Sequence, residues 1–181
     1  ELTGSANYAV VNSQFGYGGL NSRHNAEVSY TSPNWGGLNV TVGHLFAANN
    51  SNVAKNDVNL IYRAGPLSAV LVYNKLDNKG KNLSLGAAYN FGSFKLAGSL
   101  QDATGANLGK GFTLGGTLPL GNLSLTLDVA RDTRNKDTDT LLEAKYALSK
   151  RTSVYGVLLH NGAGKAAKSV NSTIVGLRHN F

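Results

Sequence analysis

The chain has no cysteine and no methionine, only three prolines, and one tryptophan in 181 residues. Without cysteine there is no disulfide, no thiol nucleophile and no thiolate metal site. No stretch approaches the ~20 consecutive apolar residues of a membrane-spanning helix. The formal net charge is +7, but the basic residues are spread one or two per segment. They form no stripe interleaved with aromatics, which argues against a nucleic-acid partner. The four histidines are His24, His44, His160 and His179. None lies at metal-ligand spacing from another, so no metal site is expected. No Ser–His pair is placed for nucleophilic catalysis. The glycine-rich stretches Gly16–Gly19 and Gly111–Gly116 have no helix after them and so cannot cradle a phosphate. The expectation is a protein that is not an enzyme and has no cofactor.

What is present is alternation. Leu83, Leu85, Ala87, Tyr89 and Phe91 alternate with Asn82, Ser84, Gly86, Ala88 and Asn90. Leu123, Leu125, Leu127 and Val129 alternate with Ser124, Thr126, Asp128 and Ala130. The chain closes on Thr173, Val175, Leu177, His179 and Phe181, a strand pattern that ends on an aromatic. Side chains in a strand repeat every two residues, so each pattern has one mostly apolar face and one mostly polar face. Segments of this kind cover 23–33, 37–46, 56–65, 67–77, 81–91, 93–103, 110–119, 123–133, 138–148, 151–162 and 171–181. Each matches the ~9–11 residues that a tilted strand needs to cross a bilayer. The predicted fold is an all-β, antiparallel, up-and-down transmembrane β-barrel of about 11–12 strands.

The connections alternate in kind. Tight ones fall at 33–37, 65–66, 92–93, 119–122 and 149–150, and longer polar ones at 47–56, 75–81, 102–110, 132–138 and 161–170. Short periplasmic turns and longer surface loops characterise outer-membrane barrels. Tyr30, Trp35, Tyr62, Phe91, Phe94, Tyr146, Tyr155 and Phe181 all lie near a tight turn or the C-terminus. In a barrel they make an aromatic girdle at one membrane interface. Val175, Leu177 and the terminal Phe181 form an outward apolar row, expected to act as an assembly signal.

Face assignment by parity turns Arg23, Glu27, Asp57, Arg63, Lys95, Asp128, Glu143, Lys145 and Arg178 inward, with Asn59, Asn74 and Gln101. Inward Gly43, Gly86, Ala88, Ala97, Gly115 and Gly176 leave room for water. A polar interior is what a water-filled pore needs, and its basic members give a mild anion preference. Lys55, Lys79, Lys81, Lys136, Lys165 and Lys168 are read as loop lysines, available to acidic headgroups of the outer leaflet. The alternative is a non-conducting structural or adhesive barrel plugged by its own side chains.

Four motifs carry a family resemblance: Tyr30-Thr31-Ser32-Pro33-Asn34-Trp35-Gly36-Gly37, Gly86-Ala87-Ala88-Tyr89-Asn90-Phe91-Gly92, Leu148-Ser149-Lys150-Arg151-Thr152-Ser153-Val154-Tyr155-Gly156, and Val175-Gly176-Leu177-Arg178-His179-Asn180-Phe181. In this order and spacing the chain resembles the general porins of the Gram-negative outer membrane, of β-proteobacterial and neisserial type. The resemblance implies a homotrimer in the bacterial outer membrane, in contact with outer-membrane lipid and lipopolysaccharide and inserted by the barrel-assembly machinery. It also implies a larger barrel of about sixteen strands, of which residues 23–181 supply the later ones. Residues 1–22 are expected to be either the remnant of an infolded loop or an additional strand. A bacterial barrel has an even strand number. Eleven strands therefore call for a twelfth from the N-terminal segment or for further strands elsewhere. The chain starts at Glu1, which suits a processed chain or a piece of a longer one.

Overall fold

The computed structural model describes residues 25–50, 52–105, 109–163 and 168–181. The eleven expected strands are all there: β1 (Glu27–Thr31), β2 (Leu38–Leu45), β3 (Lys55–Ala64), β4 (Leu67–Leu76), β5 (Gly80–Asn90), β6 (Lys95–Thr104), β7 (Lys110–Leu120), β8 (Leu123–Asp132), β9 (Asp137–Ala147), β10 (Thr152–Asn161) and β11 (Val170–His179). They form one antiparallel sheet in sequence order. Each strand pairs with its chain neighbours, which satisfies the backbone without any crossover. Among the described residues β1 pairs only with β2 and β11 only with β10, so the sheet is open there. A small closed barrel made from these strands alone is therefore not formed. The N-terminal segment, including Arg23 and His24, lies outside the described residues.

The tight turns follow from glycine. Gly65 (φ +53°) precedes Pro66, and Gly121 (φ +63°) precedes Asn122. A two-residue hairpin whose first central residue has positive φ suits glycine, because that turn twists with the strands. Pro119, expected in a turn, lies inside β7. Pairing of β7 with β6 runs only from Lys110 to Thr117, so Pro119 has a ladder neighbour on the β8 side alone, and a proline is tolerated beside an unpaired edge.

Loop lengths are less contrasted than the sequence suggests. The β4–β5 connection shrinks to 77–79 and the β8–β9 connection to 133–136, because the strands run further than their polar ends imply. Asp132 makes the second of these possible. It accepts hydrogen bonds from the backbone N–H of Arg134 (2.8 Å) and Asn135 (3.0 Å) and from Asn135 Nδ2 (2.6 Å). A 3-10 turn, Ala47–Asn49, opens the β2–β3 connection.

Candidate pore wall and membrane surface

Register fixes the two faces. The run Arg178–Ser153–Ala147 and the run Gly176–Tyr155–Lys145–Ser124 each stay on one side of the sheet. Following such rows across all strands puts Glu27, Asp57, Arg63, Lys95, Asp128, Glu143, Lys145 and Arg178 on one face. Asn59, Asn74 and Gln101 share it. Hydroxyl pairs lace this face across the strands: Thr31–Thr41 at 2.9 Å, Ser99–Thr113 at 2.6 Å and Thr117–Thr126 at 3.0 Å. Such cross-strand pairs are the unit of sheet stabilisation.

The opposite face is a continuous apolar band. Leu85, Leu100, Leu114, Leu127, Leu158 and Val175 are all exposed on it, Val175 at 83%. An apolar surface of this extent is unfavourable in water and fits hydrocarbon. Three of its histidines lie near the rims and are bonded across strands. His44 Nδ1 meets Asn56 Oδ1 at 2.8 Å, His160 Nδ1 meets Asn171 Oδ1 at 2.6 Å, and His179 Nδ1 meets Thr152 Oγ1 at 2.9 Å.

Tyr30, Tyr62, Phe91, Tyr146 and Phe181 follow the apolar face, near the tight turns. The Phe91 and Phe94 rings stack at 4.6 Å. Tyr155 departs from the girdle. It pairs with Lys145 and Gly176, on the polar face. A Cβ at Gly176 would run into the Tyr155 hydroxyl, so the glycine makes room for the ring.

The lining candidates are not equivalent. Asp128 (2% exposed) and Glu143 (1%) are closed off from solvent, and neither is unpaired. Around them the same face of β8–β11 buries an apolar cluster of Ala130, Leu141, Val157 and Leu159, flanked by Tyr155 and Ile174. On these strands the face that carries Asp128 and Glu143 also carries large aliphatics, so this part of it is packed and not uniformly polar. On β1–β6 the same face is mostly part-exposed.

Charge on this face is sorted by height. Lys95 opens β6, Arg63 precedes the last residue of β3, Lys145 sits near the end of β9, and Arg178 precedes the last residue of β11. All four are therefore at the tight-turn rim. Glu27, Asp57, Asp132, Asp137 and Asp139 are at the long-loop rim. The last three are buried, and Asp139 accepts the Gly162 N–H at 2.9 Å. Lys55, read as a loop lysine, opens β3 on the same face and bridges Asp57 at 2.8 Å. Lys55, Asp132 and Asp137 fall within stretches whose polar residues suggest connections, and Asp139 falls within the expected strand 138–148 without being singled out as a site residue. Carrying parity back from Asp57, forward from Asp128 and back from Glu143 would have found them.

A sheet with one continuous apolar face between two polar rims and a polar reverse is the wall of a transmembrane β-barrel. The family model described as Gram-negative porin matches residues 2–164. The chain belongs to that family, and its place is the bacterial outer membrane. Outer membrane porin protein 32 of Delftia acidovorans is 29% identical over 200 residues, covering 88% of this chain and 57% of that protein. The anion-selective porin from Comamonas acidovorans superposes with a TM-score of 0.64 at 27% identity, over 87% of this chain and 60% of that one. A triple mutant of Rhodopseudomonas blastica porin gives 0.70 at 17% identity, over 86% and 55%, a likeness of fold alone. The chain thus spans 55–60% of the length of these three proteins.

Proposed function

We propose that this chain forms wall of a water-filled channel for passive diffusion of small hydrophilic solutes and ions, with a mild anion preference. The observation that carries the reading is the sorting of inward charge: Arg63, Lys95, Lys145 and Arg178 gather at one rim. In a narrow low-dielectric wall their fields add, which raises local anion concentration. The anion-selective porin among the similar structures supports the sign. Arg23, outside the described residues, is assigned to the same lining by parity. The mechanism requires no cofactor and no reaction chemistry. His44, His160 and His179 are engaged in cross-strand hydrogen bonds on the outer face, which supports a non-enzymatic reading. Assembly as a homotrimer, insertion by the barrel-assembly machinery and contact with lipopolysaccharide complete it.

The buried inner face of β8–β10 favours a second reading, a non-conducting barrel whose lumen is filled by its own side chains. Conductance separates the two. The porin in a planar phosphatidylcholine bilayer should give steady ohmic steps. Replacing Lys95 and Arg178 together by Glu should move the zero-current potential in a salt gradient toward cation preference. The same change at Lys136 and Lys168, which are exposed in connections, should move it far less. The shift should shrink at ~1 M salt, where the screening length is about 3 Å. Equal shifts from both pairs would refute the lining assignment, and absence of steps would favour the filled barrel.

A further inference from the structure

We infer that the lumen is an ionic rectifier, carrying more current when the long-loop side is positive than when the tight-turn side is. The inference rests on reading the polar face as the lining of an open channel. Its basis is the placement of the acids. Among the described residues no acidic side chain lies in a tight turn or within three residues of a strand end at the tight-turn rim. That rim carries Arg63, Lys95, Lys145 and Arg178 inward. At the long-loop rim the inward acids are Glu27, which is exposed, Asp57, which is bridged by Lys55, and the buried Asp132, Asp137 and Asp139. The cations Lys75 and Lys81 of that rim stand opposite each other on the outward face, away from the lumen.

Distance decides whether the two rims cancel or act separately. Asp57 and Arg63 are six residues apart on β3, and Asp137 and Lys145 are eight apart on β9. At ~3.3 Å per residue and a strand tilt of about 40°, these pairs are roughly 15 and 20 Å apart along the pore axis. The screening length in ~0.1 M salt is shorter, about 10 Å. Each rim therefore gathers its own counterions, anions at the tight-turn mouth and cations at the long-loop mouth. The wall between them on β3–β7 is uncharged, with Asn59, Ser84, Ser99, Gln101 and Thr113 on the inward face. Asp128 and Glu143 lie between the rims on β8 and β9 but are closed off from solvent.

Two mouths of opposite sign around a neutral middle conduct unequally. With the long-loop side positive, anions are drawn in through the mouth that concentrates them, and cations enter through the other. Both carry their excess into the middle, so the lumen fills with carriers. With the sign reversed, each ion must enter through the mouth that repels it, and the lumen is depleted. The tight-turn mouth is the stronger pole, because four cations meet no acidic side chain there while Lys55 offsets Asp57 at the other. Its field is concentrated by the low-dielectric wall.

The test measures open-step amplitudes of the intact porin in planar phosphatidylcholine bilayers with equal KCl on both sides. A biotin tag at Asn50, in the β2–β3 connection, identifies the long-loop chamber by the side from which streptavidin binds. In ~0.1 M KCl the step at about 100 mV should be at least ~1.5-fold larger with that chamber positive. In ~1 M KCl, where the screening length is about 3 Å, the steps should be ohmic. Lys95→Gln/Arg178→Gln should bring the low-salt ratio close to unity. Lys95→Arg/Arg178→Lys, which keeps the charge, should preserve it. So should Lys75→Gln/Lys81→Gln, an equal charge change on the outward face. Equal low-salt steps at both polarities, or larger ones with the tight-turn chamber positive, would overturn the inference. So would a ratio that survives in ~1 M KCl, or one that the outward pair abolishes as fully as the inward pair. Equal steps together with an anion-shifted zero-current potential would leave the channel reading standing, whereas absence of any steps would sink both.

Discussion

The two rims of the sheet are built in opposite ways. At the tight-turn rim, Tyr62, Phe91, Tyr146 and Phe181 face outward while Arg63, Lys95, Lys145 and Arg178 face inward. At the long-loop rim, Lys75, Lys81, Lys110 and Arg131 face outward, and Glu27, Asp57, Asp132, Asp137 and Asp139 face inward. A net charge of +7 says nothing of this. The sign that a permeating ion or a lipid headgroup meets is set jointly by face and by height. Interfacial aromatics hold the wall at one membrane boundary, and cations take that place at the other.

The strongest way to break the comparison is to put charge between the rims. Leu127 sits mid-strand on the outward face, half exposed. Leu127→Arg should cost about 2–4 kcal/mol at a bilayer midplane, against about 0–1 near an interface. Urea titration of protein folded in vesicles should therefore show at least a ~30-fold drop in the folding equilibrium constant, as each 1.4 kcal/mol is tenfold. Lys110→Leu at the rim should change it little. Comparable losses at both would mean that the outward face does not meet lipid.

Sidedness comes next. Epitope tags at Asn50 and Lys168 should be labelled on intact cells at least tenfold more than a tag at Gly121. Preferential labelling of Gly121 would invert the rims. A smaller effect is expected from the end of β11. Removing Phe181, fully exposed on the outward face, should lower the yield of heat-resistant barrel in cells several-fold while leaving refolding into detergent nearly intact. Unchanged yield in cells would show that the terminal aromatic is not an assembly signal.

The mildest change is at the inner long-loop rim. Asp57→Asn frees Lys55 from its 2.8 Å ion pair. Part-exposed pairs are weak and screened, so chloride-over-potassium permeability should rise by less than twofold. A fall would place Lys55 outside the ion path.

Most of the strands were legible because alternation is local: a strand's side chains repeat every two residues whatever it pairs with. That is why eleven segments, their tight glycine turns and the shared face of Arg63, Lys95 and Arg178 follow from the residues themselves. Tyr155 was misplaced because proximity to a turn gives height and not face. Both parities of β10 are largely apolar, Tyr155, Val157 and Leu159 against Val154 and Leu158, so only Lys145 and Gly176 opposite Tyr155 decide it. Lys55, Lys81, Asp132 and Asp137 were read as loop because polar residues at strand ends look like loop residues, until a neighbouring strand extends the ladder past them.

The sequence by itself determined the class of fold and the family, since period-two patterning, turn residues and a terminal aromatic row are all local features. The tertiary structure decided which charges stand opposite one another, as with Lys75 and Lys81. It also decided which inward residues are shut from solvent, as with Asp128 and Glu143, and the absence of a β1–β11 pairing among the described residues. Those depend on cross-strand register and on what lies over a face. A one-residue slip of a strand would reverse every side chain without altering its pattern.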